Sequence, residues 1–123
     1  MGMTQRQALD LWRRALTAYV RSDESDLTAR QQAVLMTVAL SPGPHTVRGL
    51  SAGLNIAKPA VTRAMDVLEK AGQIKRTQDE NDLRSVLIER TVQGMEWLRH
   101  FGSLILAAEA GEDSPEAVHK AVA

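Results

Sequence analysis

No cysteine occurs among the 123 residues. That excludes a disulfide framework, a thiolate metal site and a thiol redox switch. Aromatic side chains are nearly as scarce: Trp12, Tyr19, Trp97 and Phe101 are the full set. None falls between Val20 and Glu96, so the middle of the chain has no stacking platform for unpaired bases, a contact worth roughly 1–3 kcal/mol per base. Charge of one sign is not in excess either, with 15 basic side chains against 15 acidic ones. A case for nucleic acid therefore has to be made locally. No apolar run approaches the ~18 residues of a membrane span. The N-terminus lacks a basic segment followed by an apolar one, which argues against a signal peptide. The expectation is a soluble cytoplasmic protein of one compact domain, or one protomer of an assembly.

What the chain does contain is helical periodicity with clear punctuation. Thr4 with Gln7 fits a capping box. Ala8, Trp12, Ala15, Leu16 and Tyr19 then recur at helical spacing as far as Arg21. After the polar Asp23-Glu24-Ser25-Asp26, Thr28 with Gln31 opens a second helix with Val34, Leu35 and Val38 on one face, and Ser41-Pro42-Gly43-Pro44 stops it. Thr46 caps a short helix that turns Val47, Leu50 and Leu54 inward. Asn55 suits its end, because Asn tolerates the left-handed conformation. Pro59 fits the first turn of a fourth helix that buries Val61, Met65 and Leu68 and ends near Gly72.

The period then changes. Ile74 to Gln78 reads as a strand, Asp79-Glu80-Asn81-Asp82 as a polar turn, and Ser85 to Arg90 as a returning strand. Thr91 caps a final long helix with a stripe of Met95, Leu98, Phe101, Ile105 and Ala108, and Gly111 breaks it. A short terminal helix is expected from Ser114-Pro115. Two helices joined tightly around Asn55-Ile56-Ala57 make a helix-turn-helix, and the hairpin behind them makes it winged. The fold class is mainly α with a small β-hairpin wing. Its predicted divisions are an N-terminal helix and connection over 1–26, a winged helix-turn-helix over 27–90, and a C-terminal helix and tail over 91–123.

From Leu27 to Gly94 the sequence resembles the MarR-type winged-helix transcription regulators. The resemblance rests on Leu27-Thr28, Gln31 and Val34-Leu35, then Thr46-Val47 and Leu50. It continues through Val61-Thr62-Arg63, Leu68-Glu69-Lys70 and Gly72, and closes on the wing residues Asp79, Asp82 and Arg84 followed by Thr91 and Gly94. The resemblance implies a bacterial-type, nucleoid-associated regulator acting as a homodimer, most often a repressor. Its terminal helices would pair, and its two winged domains would read a pseudo-palindromic double-stranded operator. The placement of Trp12, Tyr19, Trp97 and Phe101 at the chain ends agrees, since a symmetric interface would cover rings that one subunit has little material to bury. Many relatives bind small aromatic acids between the dimer helices and the winged domain, so the resemblance also implies a small aromatic ligand near Trp97 and Phe101. Plain interface packing accounts for the same two rings.

Local charge agrees with a DNA-facing middle. Arg48, Lys58, Arg63, Lys70, Lys75, Arg76, Arg84 and Arg90 outnumber Asp66, Glu69, Asp79, Glu80, Asp82 and Glu89, whereas the segment after Arg90 is acidic. If Val61, Met65 and Leu68 face the core, Lys58, Thr62, Arg63 and Asp66 face outward. The second helix of a helix-turn-helix enters the major groove through its N-terminal residues. The expected contacts there are Lys58, Ala60, Thr62 and Arg63, with the Arg63 fork suited to guanine O6 and N7. In the family the wing arginine, here Arg84, enters the minor groove and an aspartate, here Asp82, braces it. A narrow minor groove carries enhanced negative potential. Arg48 and His45 are phosphate candidates, and so are Lys75 and Arg76, which equally suit a strand flank. A solvated polar face is the ordinary role of such residues.

Three positions depart from the family pattern. Ala57 and Ala60 stand where Ser or Thr often begins the recognition helix, and a lost N-cap hydroxyl typically costs ~1 kcal/mol. Arg90 replaces an apolar residue before Thr91, so its stem is expected to cover the core with its head in water. No enzyme reading survives: His45, His100 and His119 are scattered, and neither a phosphate loop nor a nucleophile elbow is present. No metal or cofactor is expected. A protein-interaction module of the same fold, or an accessory DNA-binder outside promoter control, are the competing functions.

Overall fold

The computed structural model describes residues 2–113. Its elements are α1 Gln5–Arg21, α2 Ala29–Leu40, α3 Val47–Leu54, α4 Lys58–Lys70, β1 Ile74–Asp79, β2 Asp82–Arg90 and α5 Val92–Glu109. This is the mainly helical, hairpin-winged order that the sequence predicts. The helix expected from Ser114-Pro115 lies outside the described residues. No described helix is long and apolar enough to cross a membrane. The chain forms two compact units, Leu27–Leu98 and a second built from the segment ending at Asp26 together with the chain from Arg99 on.

The winged unit is set up by caps. Thr28 and Gln31 form the capping box of α2, with Gln31 N donating to Thr28 Oγ1 at 3.1 Å and Thr28 N to Gln31 Oε1 at 3.0 Å. Thr46 Oγ1 accepts from Gly49 N at 3.0 Å to start α3. Asn55, at φ 54°, ends it in the left-handed region. Ala57 begins α4 without a side-chain cap, and Pro59 stands in its first turn. Val34 and Leu35 of α2, Leu50 of α3, Val61, Met65 and Leu68 of α4, and Ile74 and Ile88 of the hairpin form the core. Each contributes on the order of 1.5–3 kcal/mol of apolar burial.

The wing is longer than the sequence predicts. Asp79 still pairs with Asp82, across an irregularity after Gln78, and Asp79 Oδ1 accepts from Asn81 N at 2.9 Å. The turn therefore shrinks to Glu80-Asn81, and the return strand starts at Asp82 rather than Ser85. Ile88 N also donates to His45 O at 2.9 Å, so the segment entering α3 lies against β2. Arg90 differs from expectation as well. Its Nη1 donates to Ala39 O at 3.2 Å, near the C-terminal end of α2, so the head caps a helix instead of only meeting water.

The start of α5 is pinned to the end of α4. The Thr91 hydroxyl donates to Gly72 O at 2.6 Å and accepts from Gly94 N at 3.0 Å. A Cβ on Gly94 would stand 2.2 Å from Gln73 O, so this approach requires glycine. The buried stripe of α5 is Gly94, Trp97, Phe101, Leu104 and Ala108. The expected stripe is right at Phe101 and Ala108 but out of phase at Met95, Leu98 and Ile105, which are half-buried.

In the terminal-helix unit, Thr4 and Gln7 cap α1 reciprocally, and Ala15, Ala18 and Tyr19 are its buried residues. Phe101 receives Trp12 and Tyr19 edge-on, with ring centroids at 5.7 Å and 5.3 Å. Arg14 Nη1 donates to Ala108 O at 2.7 Å and to Asp113 Oδ1 at 2.8 Å, satisfying the end of α5. On the open surface of α1, Arg13, followed by Arg14, holds the Asp10 carboxyl below its ordinary value of 3.8.

Candidate nucleic-acid interface

The geometry of α4 separates its residues by face. Val61, Ala64, Met65 and Leu68 point inward, leaving Lys58, Pro59, Arg63 and Asp66 exposed and Thr62 half-exposed. Ala60 does not belong with them. It is 8% exposed, because it precedes Val61 on the side that closes over the core, so its methyl is a packing group. The outward row at the helix start is Lys58, Thr62 and Arg63. Lys58, Arg63 and Arg48 of α3 are exposed and, among the described residues, have no carboxylate partner. Unpaired cations beside a helix N-terminus, where the macrodipole is positive, favour an anion.

The other basic candidates are occupied. Lys75 Nζ lies 3.5 Å from Glu89 across the hairpin. Arg76 Nη2 pairs with Asp66 Oδ1, and its Nε lies 3.4 Å from Glu69 Oε1. Both partners stand on α4. His45 Nε2 lies 3.0 Å from Ser41 O, within its own loop.

At the wing, Asp82 Oδ1 accepts from Arg84 N at 3.1 Å and Arg84 Nε at 3.4 Å. Asp82 Oδ2 is 3.5 Å from Ser85 Oγ. The Arg84 side chain is 94% exposed. An aspartate thus holds the base of an arginine whose head projects into solvent. Leu83 beside it is exposed too.

The aromatic residues sort unequally. Tyr19, Trp97 and Phe101 are covered within the chain, while Trp12 is 44% exposed. Leu9, Val20 and Leu106 are exposed as well. Sequence reasoning weighted rings and so passed over these aliphatics, although the spacing Leu9, Trp12, Leu16, Val20 traces one side of a helix. No cluster of potential metal ligands occurs among the described residues.

The sequence profile of the MarR family matches residues 27–86. Similar solved structures include a variant of S. aureus MepR bound to an oligodeoxyribonucleotide. It is 21% identical, with 89% of this chain and 82% of that one covered at a TM-score of 0.72. CouR from Rhodococcus jostii bound to p-coumaroyl-CoA is 24% identical, with 84% and 70% covered at a TM-score of 0.63. MarR itself is 23% identical, with 85% and 71% covered at a TM-score of 0.59. At such identities the likeness establishes the fold. Among curated proteins there is no significant match.

Proposed function

The chain carries a MarR-family winged helix-turn-helix domain over residues 27–86, and from that premise we propose that it is a sequence-specific, double-stranded-DNA-binding transcription regulator that acts as a homodimer and represses by occluding a promoter. The observation that carries this reading is the unpaired outward row at the start of α4, Lys58, Thr62 and Arg63, behind a wing whose Arg84 head is free in solvent. Arg63 pairs with a base edge in the major groove, and Thr62 meets a base or a phosphate. Lys58 and Arg48 neutralise phosphates, while Arg84 enters the minor groove with Asp82 bracing it. The nucleic acid in the MepR-variant structure is the kind of partner this surface fits.

Two protomers pair through their terminal helices, using the exposed row Leu9, Trp12 and Val20 of α1 and Leu106 of α5. Large apolar side chains left exposed in this way support an interface there. A two-fold axis then places the recognition helices about one turn of B-form DNA apart, ~34 Å. The division into terminal dimerisation segments and a central DNA-binding domain follows from the same reading, as do a cytoplasmic location and association with the nucleoid.

Selecting bound fragments from a pool of random duplexes tests the reading directly. The expected product is a pseudo-palindrome. Its affinity should fall with salt at a log–log slope of about −0.9 per phosphate neutralised. A shallow slope with no enriched sequence would overturn the reading in favour of a protein-interaction module.

A further inference from the structure

Asp66 occupies the middle of the outward face of α4, three residues after Arg63 and four after Thr62, which puts it on the same side one turn further along. Its side chain is 60% exposed. A bare carboxylate there would face the phosphates that the Lys58–Arg63 row is meant to meet, and like-charge juxtaposition across an interface costs several kcal/mol. Glu69, one turn on, would add to the repulsion. Both carboxylates are answered by one residue of the wing. Arg76 on β1 pairs through Nη2 with Asp66 Oδ1, places Nε 3.4 Å from Glu69 Oε1, and donates its backbone N–H to Glu69 Oε2 at 3.2 Å. Its side chain is only 26% exposed, so the planar fork is held between strand and helix.

We propose that Arg76 is a positioning residue for DNA recognition, clamping the base of the wing to the recognition helix and offsetting part of the negative charge of the two carboxylates on that helix's DNA-facing side. The inference rests on the proposed function above and adds to it a residue that touches no DNA. Two consequences follow. The wing and α4 form one reading head, so the spacing between the major-groove contact of Arg63 and the minor-groove contact of Arg84 is fixed before DNA arrives. The exposed cations of α4, Lys58, Arg63 and Lys70, are also left without a carboxylate partner among the described residues. The preorganised pair of contacts lowers the ordering cost of binding.

The test compares the full chain with Arg76→Ala, Arg76→Lys, and Arg76→Ala combined with Asp66→Asn and Glu69→Gln. Each is titrated against the selected duplex and a random one over a range of salt, with the melting temperature followed in parallel. Arg76→Ala should bind the selected duplex roughly tenfold more weakly or worse. It should lose little melting temperature, because part-exposed ion pairs contribute little to stability. Arg76→Lys should recover part of the affinity, since it restores charge without the fork. The combined variant should recover general duplex affinity, since the repulsion is gone, yet discriminate less well between selected and random duplex, since the clamp is gone. Wild-type binding with unchanged affinity in Arg76→Ala overturns the inference alone, as does a combined variant no better than Arg76→Ala. A wild-type chain that binds no duplex overturns the proposed function, and the inference with it.

Discussion

In the winged unit the side chains left in water around the helix-turn-helix and wing include cations that have no carboxylate partner among the described residues, Arg48, Lys58 and Arg63, together with the projecting head of Arg84. In the terminal-helix unit they include Leu9, Trp12, Val20 and Leu106, while two of its arginines, Arg13 and Arg14, are tied to Asp10, and Arg14 to Asp113 as well. The winged unit leaves apolar side chains in water as well, Leu83 and Val86 on the wing among them, so the contrast lies in which side chains stand on the proposed working face of each. Exposed apolar rows and unpaired cations both carry information, because ordinary folding hides the first and pairs or scatters the second. On the proposed function the difference separates two tasks: one surface would meet a polyanion, the other an apolar copy of itself.

The comparison is most severely tested by putting charge into the apolar row. Leu9→Asp with Leu106→Asp should convert dimer to monomer in sedimentation analysis. It should also lower apparent affinity for a paired operator by roughly 10²–10⁴-fold, because the second half-site no longer binds intramolecularly. A variant that stays dimeric would show the row to be idle. Next in size, Arg63→Ala should cost about 1–3 kcal/mol of specific binding and relax the preference at one base step, read by anisotropy against a set of single-step operator changes. Arg84→Ala should lower affinity less and make the salt slope shallower by about 0.9, with the major-groove preference intact. An unchanged slope would remove the wing arginine from the interface.

The smallest effect belongs to Asp10. Its carboxyl is held below 3.8 chiefly by the Arg13 hydrogen bond. A carboxylate with a lowered folded-state value adds stability above its unfolded value and loses it as pH falls through the folded one. Asp10→Asn should therefore lower the thermal midpoint at neutral pH by only a small amount, since an exposed pair is screened, and that difference from wild type should vanish as pH falls below 3.8 through the folded-state value.

Much of the fold is legible because its punctuation is local. Thr4 with Gln7, Thr28 with Gln31, Thr46 with Gly49, and Asn55 each act within a few residues. The phase of α5 is not local. With apolar residues on several sides, its own sequence does not choose between Met95-Leu98-Ile105 and Trp97-Leu104; the surfaces packed against it do. The outward row of α4 follows from Val61, Met65 and Leu68, yet Ala60 shows how a small residue at the edge of a face is assigned only by its neighbours. The pairing of Arg76 with Asp66 and Glu69 spans ten and seven residues across a change from helix to strand, where no helical or strand spacing announces it. The aliphatics Leu9, Val20 and Leu106 became informative only once the core was known not to need them.

The bare start of α4 has its own resolution. An N-cap hydroxyl ordinarily holds the amide of the second or third helical residue. Here the second is Pro59, which has no amide hydrogen, and the third, Ala60, already donates to Ala57 O at 2.9 Å. A serine at position 57 would find nothing left to tether. The alanine that looked like a missing ~1 kcal/mol therefore forfeits almost nothing, and the helix tip closes on its own main chain.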